Sequence, residues 1–295
     1  MHVVKEIRRC QEVNGNGWAF PIPEKYLYQL RRGVHFWAPQ YVCHKVMMGL
    51  LDVYVYLHDE TAMQILKGCT QWFWQFTEET PRHVMDDMMD AEETGAMMEF
   101  WADLYAVTGD ETHKILMERY ERPRLTEPLW RGEDVLTNMH ANATVPEIHG
   151  CARAYEVTGD ERYLTIVKNY WQQAVTKRGM FVTGGQTAGE VWTPPHRQSA
   201  RLNHNNQEHC VVYNMIRLAD YLYRQTGDKE YLDYIELNLI NGLFAQAFWK
   251  DTYETLSNAI SRDEGIVTYY LPLEAGSHKN WGSRTEDFWC CHCTA

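Results

Sequence analysis

The sequence predicts an all-α protein whose helical hairpins stack and close into an α/α toroid, with a few short strands near the C-terminus. Three observations favour this fold class. A short phrase recurs at nearly constant spacing, aromatic residues make up 13% of the 295 residues, and one interval between repeats carries an irregular insert. Repeats of about 50 residues that each contain two helices stack on their neighbours and so form one continuous core. An open solenoid of the same hairpins is the alternative, but the aromatic content and the insert favour a closed ring with a central cleft.

Each copy of the repeated phrase reads as the end of one helix followed by the start of the next. In three of the four copies, glycine supplies the left-handed residue that ends a helix, and in every copy aspartate supplies the N-cap of the following helix. The aspartates lie 51, 50 and 68 residues apart, which leaves room for two helices in the shorter intervals. The four copies occupy residues 54–60, 105–111, 155–161 and 223–229.

The longest interval holds an insert of about 18 residues, the excess of 68 over 50. Long loops in compact domains usually serve a function, and this one carries Trp, His and carboxylate side chains among its glycines over 183–196 and 203–210. We therefore predict a functional loop. After Gly242 the helical period fades, and short strands are expected at 253–255 and 265–270.

Composition and charge exclude several classes of partner. The chain has 28 basic and 40 acidic residues, a formal net charge of -12, which repels the phosphates of nucleic acid. It has no run of roughly 18 apolar residues, the length that spans a bilayer. We expect neither nucleic acid nor a membrane as partner, and the sequence predicts no oligomeric state or compartment. The 11 Trp and 18 Tyr residues suit sugar rings as flat apolar platforms.

The eight cysteines indicate thiol chemistry rather than a disulfide framework, because eight in 295 residues is sparse for a disulfide-rich domain. Soft ligands gather at 208–210 and at 290–293, and together they could bind one Zn2+ ion. The candidate ligands are Glu208, Cys210, Cys290 and Cys291. A packing thiol at 210 with a solvent-facing carboxylate at 208 is the alternative. Packing is also predicted for the isolated cysteines: Cys10, Cys43, Cys69 and Cys151.

Seven further phrases stand in order along nearly the whole chain. They are Tyr41-Val-Cys-His44, His140-Ala-Asn142, Thr183-Gly-Gly185 with Gly189-Glu190, Glu208-His-Cys210, Glu236-Leu-Asn, Tyr269-Tyr-Leu-Pro272 and Phe288-Trp-Cys-Cys291. In this order they resemble the zinc-thiolate β-L-arabinofuranosidases, glycoside hydrolase family 127 and its relative family 146, of the DUF1680 type. One such phrase would be weak, whereas seven in register make a chance match improbable.

The resemblance implies an (α/α)6 barrel, a zinc cofactor and a retaining hydrolysis through a cysteine thioglycosyl intermediate. Cys290 resembles the nucleophile, Cys291 a zinc-binding thiolate, and Glu190 the general acid/base. The other implied ligands are Glu208 and Cys210. The implied substrate is a β-L-arabinofuranosyl or similar residue of a plant-type glycan. Positions that match or neighbour the family's substrate contacts are His44, Glu236, Tyr269, His140 and Trp192.

The chain departs from the family pattern in three places. Segment 93–96 lacks the histidine that family 127 usually carries beside its glycine, and Glu-His-Cys stands at 208–210 where Glu-Thr-Cys is commoner. His292 and Cys293 follow the cysteine pair and could compete for the metal. The assignment of nucleophile and ligand among these cysteines could therefore shift by one position. We also expect 1–295 to be a single toroid domain truncated at both ends, without the family's C-terminal β-sandwich.

Two other functions stay open at this stage. A different α/α-toroid carbohydrate enzyme, an epimerase or lyase-type hydrolase, would use carboxylates and histidines and would keep its activity after chelation. A non-catalytic domain with structural zinc would unfold on chelation and cleave no glycoside, because closed structural zinc sites contribute folding free energy.

Overall fold

The computed structural model describes residues 2–249, 265–279 and 290–293. The chain divides into two compact units, each treated separately below. The first unit comprises Met1–Arg131 and Pro146–Val167, and the second comprises Gly132–Val145 and Lys168–Ala295. The single-domain prediction for 1–295 stays a prediction.

Helices dominate the described residues from 2 to 176. They are α1 (His2–Asn14), α2 (Lys25–Leu30), α3 (Pro39–Leu57), α4 (Glu60–Glu78), α5 (Arg82–Ala91), α6 (Met97–Thr108), α7 (Glu111–Arg119), α8 (Pro123–Trp130), α9 (Ala141–Thr158), α10 (Glu161–Trp171) and a π-helical segment, Gln172–Thr176.

Short strands and further helices follow. They are β1 (Thr187–Ala188), β2 (Val191–Trp192), a 3-10 turn (Gln198–Arg201), α11 (His209–Thr226), α12 (Glu230–Asn238), a π-helical segment (Leu239–Phe244), β3 (Ala247–Trp249), β4 (Gly265–Val267) and α13 (Cys290–Cys293). Both strand pairs, β1 with β2 and β3 with β4, are antiparallel. The strand predicted at 265–270 is confirmed for Gly265–Val267, and the one at 253–255 lies outside the described residues.

All four repeated phrases form the predicted helix-to-helix turns. The residue before each aspartate is left-handed, with φ of 54° at His58 and 66°, 72° and 71° at the three glycines. The aspartate side chains then accept hydrogen bonds from the backbone N–H two residues later. The capping aspartates are Asp59, Asp110, Asp160 and Asp228. His58 adopts this conformation without the freedom of glycine, at a cost of roughly 1–2 kcal/mol.

Aromatic side chains fill the core of the first unit, where α3 packs on α4, α6 on α7, and α4 on both α1 and α7. The rings of Trp72 and Phe76 stack with centroids 5.1 Å apart, and the ring of Phe73 packs edge-on against those of Trp101 and Tyr120. All five side chains are buried. In this unit, therefore, much of the aromatic content stabilises the core instead of offering sugar platforms.

The seven cysteines whose side chains the structure describes are free thiols, as the sequence predicts. Cys43, Cys69 and Cys151 are buried, which confirms packing roles for them. The same prediction is wrong for Cys10, which is exposed on α1 because it lies on the outward face of an amphipathic helix whose buried residue is Val4. Among the described helices, none has both the length and the apolar character that crossing a bilayer requires.

Two carboxyl groups lie buried in the first unit. Nε2 of Gln40 donates to Oε1 of Glu92 at 2.5 Å, and Oγ1 of Thr94 donates to Oε1 of Glu147 at 2.5 Å. Burial raises the pKa of Glu92 to about 8 and that of Glu147 to about 7, although these hydrogen bonds oppose the shift. Because desolvation disfavours the charged form, both groups hold their protons in the folded state at mildly acidic pH.

Replacing Glu92 by Gln is expected to raise the free energy of unfolding at pH 8 and to flatten its pH dependence. In the wild type the folded state keeps the Glu92 proton up to about pH 8. The unfolded state loses it near its ordinary pKa, so the free energy of unfolding falls as pH rises between those values. The slope is at most about 1.4 kcal/mol per pH unit from this group.

Urea unfolding at pH 5, 6.5 and 8 measures this effect, with Glu118→Gln as the control because Glu118 is exposed on α7. A Glu92→Gln variant with the wild-type slope over this range contradicts the prediction.

Candidate active site

The insert of the second unit forms a tight hairpin that positions Glu190. Strands β1 and β2 are joined by Gly189 and Glu190, whose φ angles are 61° and 65°. Two left-handed residues in a row form the turn that suits the twist of a two-residue hairpin. Glycine takes this conformation freely, whereas Glu190 takes it at a cost of roughly 1–2 kcal/mol. Such strain is concentrated at functional sites.

His140 reaches Glu190 because the segment before α9 pairs with the same hairpin. Backbone bonds join Ala141 N to Glu190 O at 2.8 Å and Trp192 N to Met139 O at 3.1 Å. Nε2 of His140 lies 3.7 Å from Oε2 of Glu190. Nδ1 of His140 accepts from the N–H of Ala143, so in the neutral ring the proton is on Nε2, the nitrogen that faces Glu190.

Tyr269 connects Glu190 to the cysteines. Its hydroxyl donates a hydrogen bond to Oε1 of Glu190, while its ring packs with Cys210 and Cys291 in one buried cluster. The imidazole of His140 is the largest cause of a lowered Glu190 pKa, and the hydrogen bond from Tyr269 adds to it against the effect of burial. The described arrangement therefore favours the carboxylate form of Glu190.

The three sulfur atoms of Cys210, Cys290 and Cys291 lie within 4.8 Å of one another. Sγ of Cys291 lies 2.9 Å from Sγ of Cys210 and 3.6 Å from Oε1 of Glu208, and Sγ of Cys290 lies 4.0 Å from Sγ of Cys291. The structure thus brings together all four residues of the predicted ligand set, across some 80 residues of sequence.

Helix ends present these four side chains. Glu208 is the N-cap of α11 and Cys210 lies in its first turn, while Cys290 and Cys291 begin α13, which contacts α11. The backbone N–H of Glu208 donates to Oγ1 of Thr187 at 3.3 Å. A β-bridge between Glu208 and Tyr270 fixes the other side of this residue.

The cysteines differ in exposure and in proton affinity. Cys290 is only half-buried, whereas Cys291 is completely buried and Cys210 is 3% exposed. Hydrogen bonds from the thiols of Cys210 and Cys291 lower the pKa of Cys290. Burial raises the pKa of Cys291, and the hydrogen bond with Cys290 raises that of Cys210. Of the three, Cys290 therefore ionises most readily and is the most accessible.

This donor set fits a zinc ion. Three thiols and one carboxylate are a combination that tetrahedral zinc accepts, and Glu208 and Cys291 are nearly or completely buried. Several acidic groups buried so closely would repel each other when ionised, and a divalent cation removes that repulsion. The side chain of Cys293 lies outside the described part of the structure, as does that of His292.

Two other predicted site residues, Glu236 and His44, lie on helices. Glu236 is exposed on α12. His44 belongs to the first unit, where it is buried on α3 beside Gly95, and a Cβ at position 95 would lie 3.0 Å from Nδ1 of His44. Their substrate roles stay predictions.

Trp192 has no exposed surface, and its indole N–H donates to Oγ1 of Thr144 at 3.0 Å. Its ring packs edge-on against that of Tyr170, with centroids 6.0 Å apart. This burial leaves no indole surface for a sugar. The predicted substrate contact at Trp192 therefore has no support from the structure.

Sequence reasoning missed two features of the site. Tyr270 also hydrogen-bonds Glu190 and lowers its pKa, and its ring lies 4.5 Å from that of Tyr269. The adjacent Tyr-Tyr pair at 269 and 270 was the available signal. The second feature is Gln246, a buried amide that contacts the start of α11, and no local pattern marks it.

Comparisons with known proteins report on the family and the fold of the chain. The family model described as β-L-arabinofuranosidase, GH127 catalytic domain, matches residues 1–295. A search of curated proteins finds no match. A solved structure titled glycoside hydrolase is similar over 81% of this chain and 41% of that chain, with 17% identity and a TM-score of 0.58.

Two further solved structures are similar. A GH127 β-arabinofuranosidase matches over 79% of this chain and 36% of that chain, with 19% identity and a TM-score of 0.58. Ara127N, a GH127 β-L-arabinofuranosidase from Geobacillus stearothermophilus T6, matches over 77% of this chain and 40% of that chain, with 17% identity and a TM-score of 0.54. The chain thus spans about two fifths of the length of these structures. The likeness confirms the predicted class of helical-hairpin fold.

Proposed function

Because this chain belongs to the β-L-arabinofuranosidase family of the GH127 catalytic domain, we propose that it forms the catalytic part of a zinc-dependent retaining glycoside hydrolase. The proposed substrates are β-L-arabinofuranosyl or similar residues of plant-type glycans. One observation carries the proposal: Tyr269 contacts both the carboxylate of Glu190 and the cluster of Cys210 and Cys291. A proton-transfer group and a thiol group therefore share one site.

The residues divide into those that hold zinc and those that act on the sugar. Glu208, Cys210 and Cys291 would hold the ion, with Cys290 as the fourth ligand. When bound, zinc would keep the coordinating thiols ionised at neutral pH. Cys290 is the one ligand sulfur among them with substantial exposure in the described structure, so it is the sulfur that a sugar can reach.

In the first step the Cys290 thiolate attacks the anomeric carbon and the bond to the leaving oxygen breaks. Glu190 gives its proton to that oxygen, and Cys290 becomes the sulfur of a thioglycoside. In the second step Glu190 takes a proton from water, the water oxygen attacks the anomeric carbon, and the carbon–sulfur bond breaks. Two displacements at one carbon retain its configuration.

The lowered pKa of Glu190 suits the second step, in which it accepts a proton. The first step needs the protonated form. Glu190 and Cys290 interact electrostatically, since the Glu190 charge raises the pKa of Cys290. The effect is reciprocal, so a Cys290 thiolate raises the pKa of Glu190, and glycosylation of Cys290 removes that effect. Glycosylation therefore lowers the pKa of Glu190, so its side chain is ionised and free to accept a proton in the second step.

Metal analysis combined with an aryl β-L-arabinofuranoside assay tests this function. We expect one zinc per chain, hydrolysis with retained configuration in the first-formed product, and loss of activity on chelation that added zinc restores. Activity that is indifferent to chelation overturns the proposal in favour of a carboxylate-based toroid enzyme. Bound zinc whose removal unfolds the chain, without cleavage of any pentoside, overturns it in favour of a structural metal site.

A further inference from the structure

His209 stands between two of the proposed zinc ligands, and its side chain is completely buried. Nδ1 of the imidazole pairs with Oε1 of Gln246, which is also completely buried. The two residues are 37 positions apart in the sequence. Position 209 is therefore joined through its side chain to a distant segment of the same unit.

The orientation of the Gln246 amide follows from its second contact. Nε2 of Gln246 donates to the carbonyl oxygen of Gln207 at 2.6 Å. A carbonyl oxygen only accepts hydrogen bonds, so the amide nitrogen must face Gln207 and the amide oxygen must face His209. Nδ1 of His209 therefore carries a proton and donates it to Gln246. Both ends of the Gln246 amide thus bind the short segment that leads into α11.

The main chain of Gln246 is equally fixed. Its carbonyl oxygen accepts from both the backbone N–H and the hydroxyl of Thr268, each at 3.1 Å. The backbone N–H of His209 donates to the carbonyl oxygen of Tyr269 at 3.0 Å. Residue 246 therefore joins two parts of the site: its side chain binds the ligand-bearing start of α11, and its main chain binds the segment that leads to Tyr269.

We propose that His209 and Gln246 form a positioning pair that sets Glu208 and Cys210 at metal-binding distance from the Cys290–Cys291 sulfurs. This inference rests on the proposed zinc site. Because Glu208 and Cys210 flank His209, a rotation of the first turn of α11 would move both ligands together. The pair resists that rotation, since breaking it would leave buried polar groups without their hydrogen-bond partners. Side chains that orient metal ligands typically change metal affinity 10–100-fold when removed.

A double-mutant cycle on zinc affinity tests the pair. His209→Leu and Gln246→Leu each introduce an apolar side chain of similar volume and remove the hydrogen bond between residues 209 and 246. The zinc dissociation constant, measured by competition with a chromogenic chelator, is expected to rise about 10–100-fold in each variant. The double variant should bind zinc no more weakly than the single variant with the lower zinc affinity, because each single variant already removes the hydrogen bond that the two residues share.

A conservative variant separates positioning from packing. His209→Asn keeps an N–H donor where Nδ1 stands, and we expect zinc affinity near that of the wild type together with a wild-type KM. His204→Leu is the matched control, because His204 is an exposed histidine of the same unit. If His209→Leu does not fold, Gln246→Leu and His209→Asn still carry the test.

Three results would overturn the proposal that His209 and Gln246 form a positioning pair. Additive losses in the double variant show that the two residues act independently. Wild-type zinc affinity in both leucine variants, with lower thermal stability alone, shows a structural role only. A wild type that binds no zinc overturns the proposed function and the pair together, whereas the first two results leave the proposed function intact.

Discussion

Replacing Cys290 by serine is expected to lower hydrolysis of an aryl β-L-arabinofuranoside by at least about a thousandfold. A serine hydroxyl stays protonated at neutral pH, so the attacking charge at the anomeric carbon is lost. The half-buried position of Cys290 makes it the accessible sulfur, and its two thiol donors lower its pKa. Trapping with a slow substrate followed by peptide mass spectrometry is expected to find the sugar on Cys290.

Cys10→Ser is the matched control, because Cys10 is an exposed thiol of the first unit. We expect this replacement to leave the rate unchanged. Zinc content must be measured in parallel, because Cys290 is also a proposed ligand. A sugar adduct on Cys291 or Cys293, or full activity in Cys290→Ser, contradicts the assignment of the nucleophile.

Glu190→Gln is expected to lower the rate by about 10²–10⁴-fold, the usual contribution of a general acid or base. Glutamine keeps the size of the side chain and can still bond Tyr269, but it transfers no proton. The loss should be larger for poor leaving groups, which need protonation, than for acidic phenols. With an acidic phenol the second step should become limiting, so the thioglycoside on Cys290 should accumulate.

The pH profile supplies a second measurement for the same variant. A general acid must be protonated to act. The kcat/KM of the wild type should therefore fall as pH rises through the pKa of Glu190 in the free enzyme. That alkaline limb should disappear in Glu190→Gln. Glu208→Gln is the informative comparison, because it should lose zinc while Glu190→Gln keeps it. An alkaline limb that persists in Glu190→Gln assigns the proton transfer to another group.

Sequence reasoning found the helix ends because their chemistry is local. Asp59 and its three counterparts bond a backbone N–H only two residues away, so the cap is visible within one short phrase. His58 is left-handed like the three glycines at the corresponding positions. The place before the capping aspartate therefore decides where the helix ends, more than the residue type does. The pairing of Cys210 with Cys291 came from the family resemblance, since residue spacing alone left it undecided.

Long-range partners account for what sequence reasoning missed. The hydrogen bond between His209 and Gln246 joins residues 37 positions apart, and neither belongs to a periodic pattern that predicts the other. The prediction of a sugar contact at Trp192 rests only on its place beside positions that match the family, yet the side chain is buried against Thr144 and Tyr170. Burial of a loop residue depends on the elements that fold over it, which a local pattern does not contain.

The left-handed backbone at Glu190 sets activity against thermal stability at a single position. Glycine, asparagine or aspartate would relax the turn between β1 and β2, but none carries a carboxylate at the reach of glutamate. If Glu190 acts as proposed, a screen for heat resistance alone would therefore enrich replacements at 190 that fold better and have lost the acid/base group. Libraries built on this chain should hold residue 190 fixed and seek stability elsewhere, for example at Glu92 in the first unit.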